Sequence, residues 1–337
     1  MQTRELEYNN NSKNNVDISI ILLTKNGRRY IDEVLSMIFK QKTNHCYEVI
    51  AIDSGSVDGT LEILRRYPIR LIRIKPEEFN HGATRNLGAK LSRGRYLVYI
   101  VQDATPANEY WLENLVKNLE NDKKVAGACS RVLPRSSANP LIKRDTLTEL
   151  SGRNYKAISF ISVKQEHKKL SYKEKRSLVN FHNVSSCIRR DILNKIPFSP
   201  IFFGEDLEWG KRVIEAGYKI VHEPSSIVYH SHEYSLVTVF KRNFDDAKAN
   251  RIIFNQKVSI KSVPPSILRQ TIRDFKYIIK ENSIKLGERI KWILYSPFYR
   301  FMQAIGQYIG ANFEKIPKKL SNYLSITEDK RKGRIPG

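Results

Sequence analysis

Three acidic residues, Asp53, Asp103 and Asp206, lie in short polar clusters that follow apolar segments or precede a predicted helix. A carboxylate in such a place can accept hydrogen bonds from a ribose or a base. It can also hold Mg²⁺ or Mn²⁺ against a diphosphate, or take a proton as a general base. Together with nearby cations and histidines, these residue types suggest transfer from a nucleoside diphosphate donor.

The first cluster, residues 53–60, ends a predicted strand over 48–52 and contains two glycines, which allow a ligand to approach the backbone. We expect Asp53 to face a nucleoside. Asp58 is interpreted instead as part of a turn in which Asp58 or Thr60 caps the next helix.

The other two clusters carry Asp103 and the pair Glu205 and Asp206. Asp103 follows a predicted strand over 96–101, so it would lie beside Asp53 at one sheet edge. Glu205 and Asp206 precede a predicted helix over 207–216. Two carboxylates there either cap that helix or supply a general base beside an ion.

His230 and His232 alternate along an extended segment, which places both imidazoles on one face. Such a pair can bind a metal ion, although structural histidines are more common than ligands. Arg85 is a cation that could pair with a phosphate. Its plainer interpretation is an exposed helix residue.

Strand and helix patterns alternate through the first half of the chain, which predicts a doubly wound α/β sheet. Ligands of such sheets bind at the carboxyl ends of the strands. The predicted strands are 18–23, 48–52, 69–74, 96–101 and 124–133, and the predicted helices include 28–40, 82–91 and 108–120.

The composition indicates a globular protein with a strong positive charge. The 337 residues include 58 Lys and Arg against 35 Asp and Glu, a formal net charge of +23, and 41% are apolar. That apolar fraction excludes a disordered chain. Three scattered cysteines form no disulfide framework or zinc motif, and no signal-peptide or membrane-spanning pattern is found, so we expect a cytoplasmic protein that is soluble or peripheral.

Two segments are unusually basic. Residues 134–178 predict a solvated surface loop or an acceptor-binding insertion. Residues 261–337 hold 16 Lys and Arg against 6 Asp and Glu, interleaved with aromatic residues such as Trp292 and Phe298. This pattern favours amphipathic helices on an anionic membrane surface. Packing on the core or on a second copy of the chain, as a homo-oligomer, is the alternative.

The ordered series of motifs resembles family 2 glycosyltransferases of the GT-A type, and within them bacterial rhamnosyltransferase-like members. The resemblance runs from about residue 18 to 235. The motifs lie at 22–26, 52–60, 82–88, 102–103, 183–190, 204–209 and 229–232. It implies a polar tail over 1–16, a GT-A catalytic domain over 17–235 with a Rossmann-like, doubly wound mixed sheet, and a basic helical region over 236–337.

The resemblance also implies roles for individual residues. Asp206 would be the catalytic base, with Glu205 beside it, and Asp103, His230 and His232 would bind Mg²⁺ or Mn²⁺. The implied nucleotide-sugar contacts are Thr24, Asn26, Asp53, Ser54, Gly55, Arg85, Gln102, Asp103 and Trp209. One departure from the family is Val101, which stands where the first acid of an Asp-x-Asp motif is expected.

The reaction implied is an inverting transfer from a nucleotide sugar, such as dTDP-rhamnose or a UDP-sugar. The acceptor would be a hydroxyl of a saccharide or lipid-linked saccharide, in bacterial cell-surface polysaccharide synthesis. The protein would then lie on the inner face of the cell membrane.

Three other functions are alternatives for this sequence. Net charge favours a nucleic-acid-binding protein, but no helix-turn-helix, RRM or zinc-finger pattern is found, so no nucleic acid partner is expected. A nucleotidyltransferase would need a glycine-rich phosphate loop, and residues 24–29 hold one glycine. An inactive scaffold is disfavoured by the intact Asp103, Asp206 and His230.

Overall fold

The computed structural model describes residues 6–8, 15–161 and 170–331. These residues form two compact units. In the described residues, the first unit comprises the chain up to Leu133 together with Leu150–His230, and the second comprises Pro134–Glu149 together with the part that begins at Ser231.

The first unit is built on one mixed sheet of ten described strands. The strands are β1 (Leu6–Tyr8), β2 (Ile18–Thr24), β3 (Tyr47–Asp53), β4 (Arg70–Arg73), β5 (Tyr96–Val101), β6 (Thr105–Pro106), β7 (Val125–Leu133), β8 (Ala157–Ser159), β9 (Ser185–Arg189) and β10 (Lys219–Tyr229). Their order is β1-β4-β3-β2-β5-β9-β7-β10-β6, with β8 also paired to β10.

The pairing explains why the strand sequences are continuous apolar runs. β2 lies between β3 and β5 and is parallel to both, and β7 is parallel to β10. Helices cover both faces of such a sheet, so side chains on both faces are buried. β9 is antiparallel to β5 and to β7, which makes the sheet mixed.

Helices of the first unit connect or follow these strands. They are α1 (Ile31–Phe39), α2 (Thr60–Leu64), α3 (His81–Leu91), α4 (Trp111–Asn121), α6 (Tyr172–Leu178), α7 (Arg190–Lys195) and α8 (Glu205–Glu215). On one face of the sheet, Ile20 and Leu22 share a core with Val34 and Leu35 of α1. On the other, Ile21 and Tyr99 share a core with Trp209 of α8.

The second unit is helical in its described residues. It contains α5 (Pro140–Thr148), α9 (Leu236–Phe254), α10 (Val263–Lys280), α11 (Leu286–Ala311), α12 (Lys318–Tyr323) and α13 (Ile326–Arg331). Its apolar core joins Leu141 of α5, Val239 of α9, Ile278 of α10 and Tyr299 of α11. This unit therefore has a core of its own.

A buried ion-pair network links three helices of the second unit. Arg300 donates from Nε to Asp274 at 2.7 Å and from Nη1 to Asp145 at 2.7 Å. Arg144 also pairs with Asp274, at 3.1 Å. Ion pairs with well-placed carboxylates offset the desolvation cost of burying an arginine.

The predicted mixed, doubly wound α/β sheet with a helical C-terminal region is confirmed. Some boundaries differ: α1 and α4 begin at Ile31 and Trp111, three residues later than predicted. The segment 1–16, predicted to be a polar tail, contains β1, which pairs with β4.

In its described residues, the basic segment 134–178 contains regular secondary structure as well as loops. It contains α5, β8 and α6, and its residues 134–149 group with the second unit. Residues 162–169 of this segment, which include Lys164, Lys168 and Lys169, lie outside the described residues. Among residues 6–8, 15–161 and 170–331, no helix is both long enough and apolar enough to cross a bilayer.

Candidate active site

The Asp53 loop is organised around a carboxylate that is completely buried. Oδ1 of Asp53 accepts hydrogen bonds from the backbone N–H groups of Gly55 at 3.0 Å and Ser56 at 2.9 Å. Oδ2 accepts from the Thr24 hydroxyl at 3.1 Å and from the Ser56 hydroxyl. Hydrogen bonds of the buried Asp53 carboxylate therefore connect the carboxyl ends of β2 and β3. The contact of Asp53 with a nucleoside stays a prediction.

Ser54 and Gly55 belong to this loop, and Asn26 contacts it from the turn after β2. Asn26 has a φ of +50°, and its side-chain oxygen accepts the Val57 N–H at 3.0 Å. The Ser54 N–H donates to the Thr24 carbonyl at 3.0 Å. Gly55 has a φ of +90°, a conformation that glycine adopts without strain. The loop is thus held in one shape at the carboxyl edge of the sheet.

The N-cap residue of α2 is Gly59, so Asp58 is a turn residue next to the cap rather than the predicted cap itself. Its Oδ1 accepts from the Thr60 N–H at 3.1 Å, at the start of α2. Its Oδ2 accepts from the Arg28 N–H at 3.1 Å, which joins this loop to the turn after β2.

Gln102 makes two hydrogen bonds to the backbone of Lys25. Its Oε1 accepts the Lys25 N–H at 2.9 Å, and its Nε2 donates to the Lys25 carbonyl at 3.0 Å. A Cβ on Gly27 would lie 2.5 Å from Gln102 Oε1, so the turn after β2 packs directly on this amide. Gln102 therefore fixes the loop that follows the neighbouring strand.

Asp103 and His230 are brought together by the pairing of two strand ends. β6 begins two residues after Asp103, and its Thr105 pairs with Tyr229 at the end of β10. The His230 N–H donates to the Leu133 carbonyl at 2.9 Å. These contacts leave His230 Nε2 3.5 Å from Asp103 Oδ1. His232 belongs to the second unit, where its ring stacks on Tyr234, and its role stays a prediction.

Asp206 lies in the first turn of α8, after Gly204 with its φ of +79°. Its Oδ2 accepts the Asn183 N–H at 3.1 Å, and its Oδ1 accepts the Leu207 N–H at 2.7 Å. Asn183 precedes β9 in the middle of the sheet, so the carboxylate is tied to the rigid core.

Arg85 and Glu205 form a buried ion pair between α3 and α8. The Asn183 Nδ2 also donates to Glu205, at 3.4 Å. The interpretation of Arg85 as an exposed helix residue is wrong, because its side chain is buried against this carboxylate. In this structure its partner is Glu205, and its contact with a nucleotide stays a prediction.

Burial raises the pKa of the Asp206 carboxyl group, and the nearby charge of Glu205 raises it further. The Arg85 guanidinium and the two backbone N–H groups act in the opposite direction. The net result is a raised pKa, so Asp206 holds a proton more tightly than an exposed aspartate does. A raised pKa suits a carboxylate that accepts a proton in the reaction.

Trp209 occupies the core of the first unit. Its side chain has no exposed surface, its Nε1 donates to the Ile196 carbonyl at 2.8 Å, and its ring packs on Phe181 and Phe198. This placement leaves no ring face for a nucleotide sugar, because a ligand contact would require the core to open. Its place is that of a packing residue.

Two comparisons identify the family. The family model described as glycosyl transferase family 2 matches residues 19–196. The O-antigen chain rhamnosyltransferase WbaN of Salmonella anatum is 30% identical, over 86% of this chain and 87% of the relative. The chain belongs to glycosyl transferase family 2. A second relative, the O-antigen chain rhamnosyltransferase RfbN of Salmonella typhimurium, is 28% identical over 92% of this chain and 94% of that protein.

Solved structures of glycosyltransferases share the fold. The mannosyltransferase PcManGT of Pyrobaculum calidifontis, solved with GDP-Man and Mn²⁺, aligns with a TM-score of 0.53 and 18% identity, over 88% of this chain and 86% of that one. The predictions of the family, of the GT-A fold and of a glycosyltransferase are therefore confirmed.

In this family 2 glycosyltransferase, Asn183 is a site residue that the sequence analysis did not single out. It contacts both acids of the site, by its backbone N–H and its side-chain amide, and Ser186 donates to its side-chain oxygen at 2.9 Å. A signal was available, because Asn183 begins one of the motifs in the ordered series. The contact between that motif and Asp206 joins residues distant in sequence, so the motif alone does not indicate it.

Proposed function

We propose that this glycosyltransferase catalyses inverting transfer of a sugar, with the Asp103–His230 pair holding a divalent ion and Asp206 acting as base. The observation that carries the proposal is the 3.5 Å separation of Asp103 Oδ1 and His230 Nε2 at the carboxyl edge of the sheet. Both side chains are partly exposed there. A diphosphate at this edge would reach both.

The donor set fits Mn²⁺ better than Mg²⁺. Carboxylate oxygens suit both ions, whereas an imidazole nitrogen is a poor ligand for Mg²⁺, which prefers oxygen. When bound, such an ion would neutralise charge on a leaving diphosphate. Asp103 and His230 would hold it, with His232 as a further predicted ligand.

The protein supplies the base and its orientation. The acceptor oxygen attacks the anomeric carbon, the bond from that carbon to the diphosphate oxygen breaks, and the acceptor proton passes to an Asp206 oxygen. Asn183 and Leu207 hold the Asp206 oxygens through their N–H groups. This fixed orientation lowers the entropic cost of reaching the transition state.

The proposed donor is dTDP-rhamnose, and the proposed acceptor is a saccharide or lipid-linked saccharide of a bacterial surface polysaccharide. Two relatives that cover most of this chain are O-antigen chain rhamnosyltransferases, which supports both choices. UDP-sugars are the alternative donors.

Thermal unfolding tests the proposed ligands directly. The protein is melted with dTDP, UDP and GDP and with their sugars, with and without Mn²⁺. A ligand that binds only the folded state at about 100 times its Kd adds about 2.7 kcal/mol of stability. We expect a rise in Tm with dTDP-rhamnose that requires Mn²⁺ and is lost in Asp103→Ala. No shift with any nucleotide would contradict the proposed function.

We also propose that the second unit binds an anionic membrane surface at the inner face of the cell membrane. Four apolar side chains spaced four residues apart along α11, Leu286, Ile290, Leu294 and Phe298, are between 53% and 74% exposed. This spacing aligns them along one side of the helix. Burying such a row in a bilayer interface removes apolar surface from water.

The positive charge of the second unit favours an anionic membrane, rather than a neutral protein surface, as the binding partner. α10 carries Arg269, Arg273, Lys276 and Lys280 at exposed positions, next to exposed Leu268 and Ile279. Basic residues near a bilayer surface contribute about 1 kcal/mol each with anionic lipids. A surface that mixes both kinds of side chain is complementary to phosphatidylglycerol.

Sedimentation with phosphatidylglycerol vesicles tests this contact. We expect the double variant Leu294→Glu/Phe298→Glu to lose most binding, while Ile252→Glu, an exposed apolar position on α9, binds as the wild type does. Equal binding by all three proteins would contradict the proposal. So would a dimer in light scattering that the double variant abolishes, because the row would then be a subunit interface.

A further inference from the structure

The second unit contains a cavity between α5, α10 and α11 that the proposed reaction does not use. Its volume is about 670 Å³, and all of its lining residues belong to this unit. Cavities of about 300–1,000 Å³ are typical of sites that bind small ligands. Its charged lining residues are four cations and two acids, Arg144, Arg273, Lys276 and Arg300 against Asp145 and Glu149. The lining therefore carries a net positive charge.

The inner wall of the cavity is a set of buried ion pairs. Arg300 is 1% exposed and Arg144 is 6% exposed. Asp145 accepts hydrogen bonds from Nη1 and Nη2 of Arg300, at 2.7 and 2.9 Å, and from Nη2 of Arg144 at 2.8 Å. Asp274, which is completely buried, pairs with both arginines. Cations and acids balance in this network, so the inner wall is fixed in shape and close to neutral.

The excess positive charge lies on the exposed part of the lining. Arg273 and Lys276 of α10 are exposed, and within residues 6–8, 15–161 and 170–331 neither forms an ion pair. Glu149, at the end of α5, is exposed as well. A cation that no carboxylate neutralises can pair with a phosphate, and a carboxylate can accept a hydrogen bond from a hydroxyl group. This part of the lining therefore fits a ligand that combines a phosphate with hydroxyl groups.

Arg273 and Lys276 also belong to the basic side of α10 for which we proposed membrane contact. Arg269, Arg273, Lys276 and Lys280 follow one another at intervals of four, three and four residues, which places them on one side of the helix. The middle two line the cavity, whereas the outer two do not. A lipid phosphate that meets this side of α10 therefore lies at the opening of the cavity.

Resting on the proposed membrane contact, we infer that this cavity binds the headgroup of a phosphatidylglycerol molecule. Arg273 and Lys276 pair with its phosphate, and Glu149 accepts a hydrogen bond from a hydroxyl of its terminal glycerol. The ion pairs of the inner wall keep the site in one shape, so little ordering is needed when the headgroup binds. Diffuse attraction between basic residues and an anionic surface, by contrast, provides no site that a single lipid can fill.

Two charge-matched double variants of the full-length protein test the cavity. Arg273→Gln/Lys276→Gln changes the lining, and Arg269→Gln/Lys280→Gln removes two charges from the same side of α10 outside it. Sedimentation with vesicles of phosphatidylglycerol in phosphatidylcholine gives the apparent Kd. Two charges lost from a diffuse contact weaken binding by about 30-fold, which corresponds to about 1 kcal/mol for each. We expect that loss in the outer pair and a loss about tenfold greater in the lining pair, because hydrogen bonds to a charged group are lost as well.

A soluble lipid separates a headgroup site from a general phosphate site. Dihexanoylphosphatidylglycerol, kept below the concentration at which it forms micelles, is added at constant ionic strength. We expect it to displace the wild type from the vesicles and to leave the residual binding of Arg273→Gln/Lys276→Gln unchanged. Inorganic phosphate at the same ionic strength should displace much less of the wild type, because it lacks the glycerol hydroxyls.

Equal losses in the two double variants, each with the Tm of the wild type, would overturn the inference and leave a diffuse basic surface. Displacement by inorganic phosphate as strong as that by the soluble lipid would also overturn it, because the site would then bind phosphate in general. If the wild type does not bind phosphatidylglycerol vesicles, the proposed membrane contact has failed, and the inference fails with it. Release of dTDP with a soluble acceptor, which both double variants should retain, tests the proposed reaction separately.

Discussion

The Asp206 carboxyl group carries the proposed proton transfer, and its surroundings set the pH at which it can act. Burial and Glu205 raise its pKa above the ordinary aspartate value of about 3.9. A base must be ionised, so kcat falls as pH drops through this raised pKa. We expect Glu205→Gln to remove one negative charge, lower the pKa of Asp206 and move the acidic limb of the kcat profile to lower pH. A limb that stays in place or moves to higher pH would contradict this account.

The Arg85–Glu205 pair is predicted to matter for stability. Both side chains are buried, at 6% and 7% exposure. Removing one member leaves an uncompensated buried charge, so Arg85→Leu should cost about 3–5 kcal/mol in urea unfolding. The double variant Arg85→Leu/Glu205→Leu should recover most of that loss, because both charges are gone.

An exposed pair provides the control. Arg66 and Asp32 are 3.3 Å apart with side chains 61% and 58% exposed. Surface pairs contribute about 0–1 kcal/mol, so Arg66→Leu should have a small effect. Equal losses in Arg85→Leu and Arg66→Leu would show that the buried pair is not a stabilising contact.

At the scale of elements, two glycines let α11 approach α9 closely. A Cβ on Gly306 would lie 2.5 Å from the Phe240 carbonyl oxygen, and one on Gly310 would be 2.2 Å from that of Phe244. Gly306→Ala should therefore destabilise the second unit by about 1–3 kcal/mol, the usual cost of overpacking. Gly287→Ala, on the same helix with nothing within 4 Å, should be neutral or stabilising. The measurement is urea unfolding, and a neutral Gly306→Ala would refute the close contact.

The elements of the sheet could be predicted because their patterns are local. β2, β3 and β5 are continuous apolar runs ended by polar residues, and each was located within one or two residues. The insertion of β9 between β5 and β7 was not predicted, since strand order depends on contacts distant in sequence. Pairing of β1 with β4 was missed because Leu6–Tyr8 lies among polar residues.

The site was predictable to a different extent for each residue. Asp103 and His230 were chosen as metal ligands, and β6–β10 pairing brings them together. Trp209 was assigned to the donor from its motif, yet it is a core residue. No local pattern separates a tryptophan that binds a ligand from one that packs, because burial depends on the surrounding elements.

At the scale of the whole molecule, the chain combines a glycosyltransferase unit with a helical unit whose charge is strongly basic. If the second unit binds membranes partly through charge, binding to phosphatidylglycerol vesicles should weaken as salt rises and the Debye length falls to about 3 Å at 1 M. The apolar row on α11 should leave a residual, salt-resistant fraction. Binding that does not change with salt would show that the basic residues do not contribute.

Asp206 is the proposed base of this glycosyltransferase, and one comparison of two proteins tests that role most directly. Wild type and Asp206→Asn are assayed for dTDP release from dTDP-rhamnose with Mn²⁺ and acceptor, and dTDP-rhamnose binding is titrated for both. We predict that turnover falls by about 10²–10⁴-fold while the Kd of the donor changes little. Near-normal turnover in a folded Asp206→Asn variant would contradict that role.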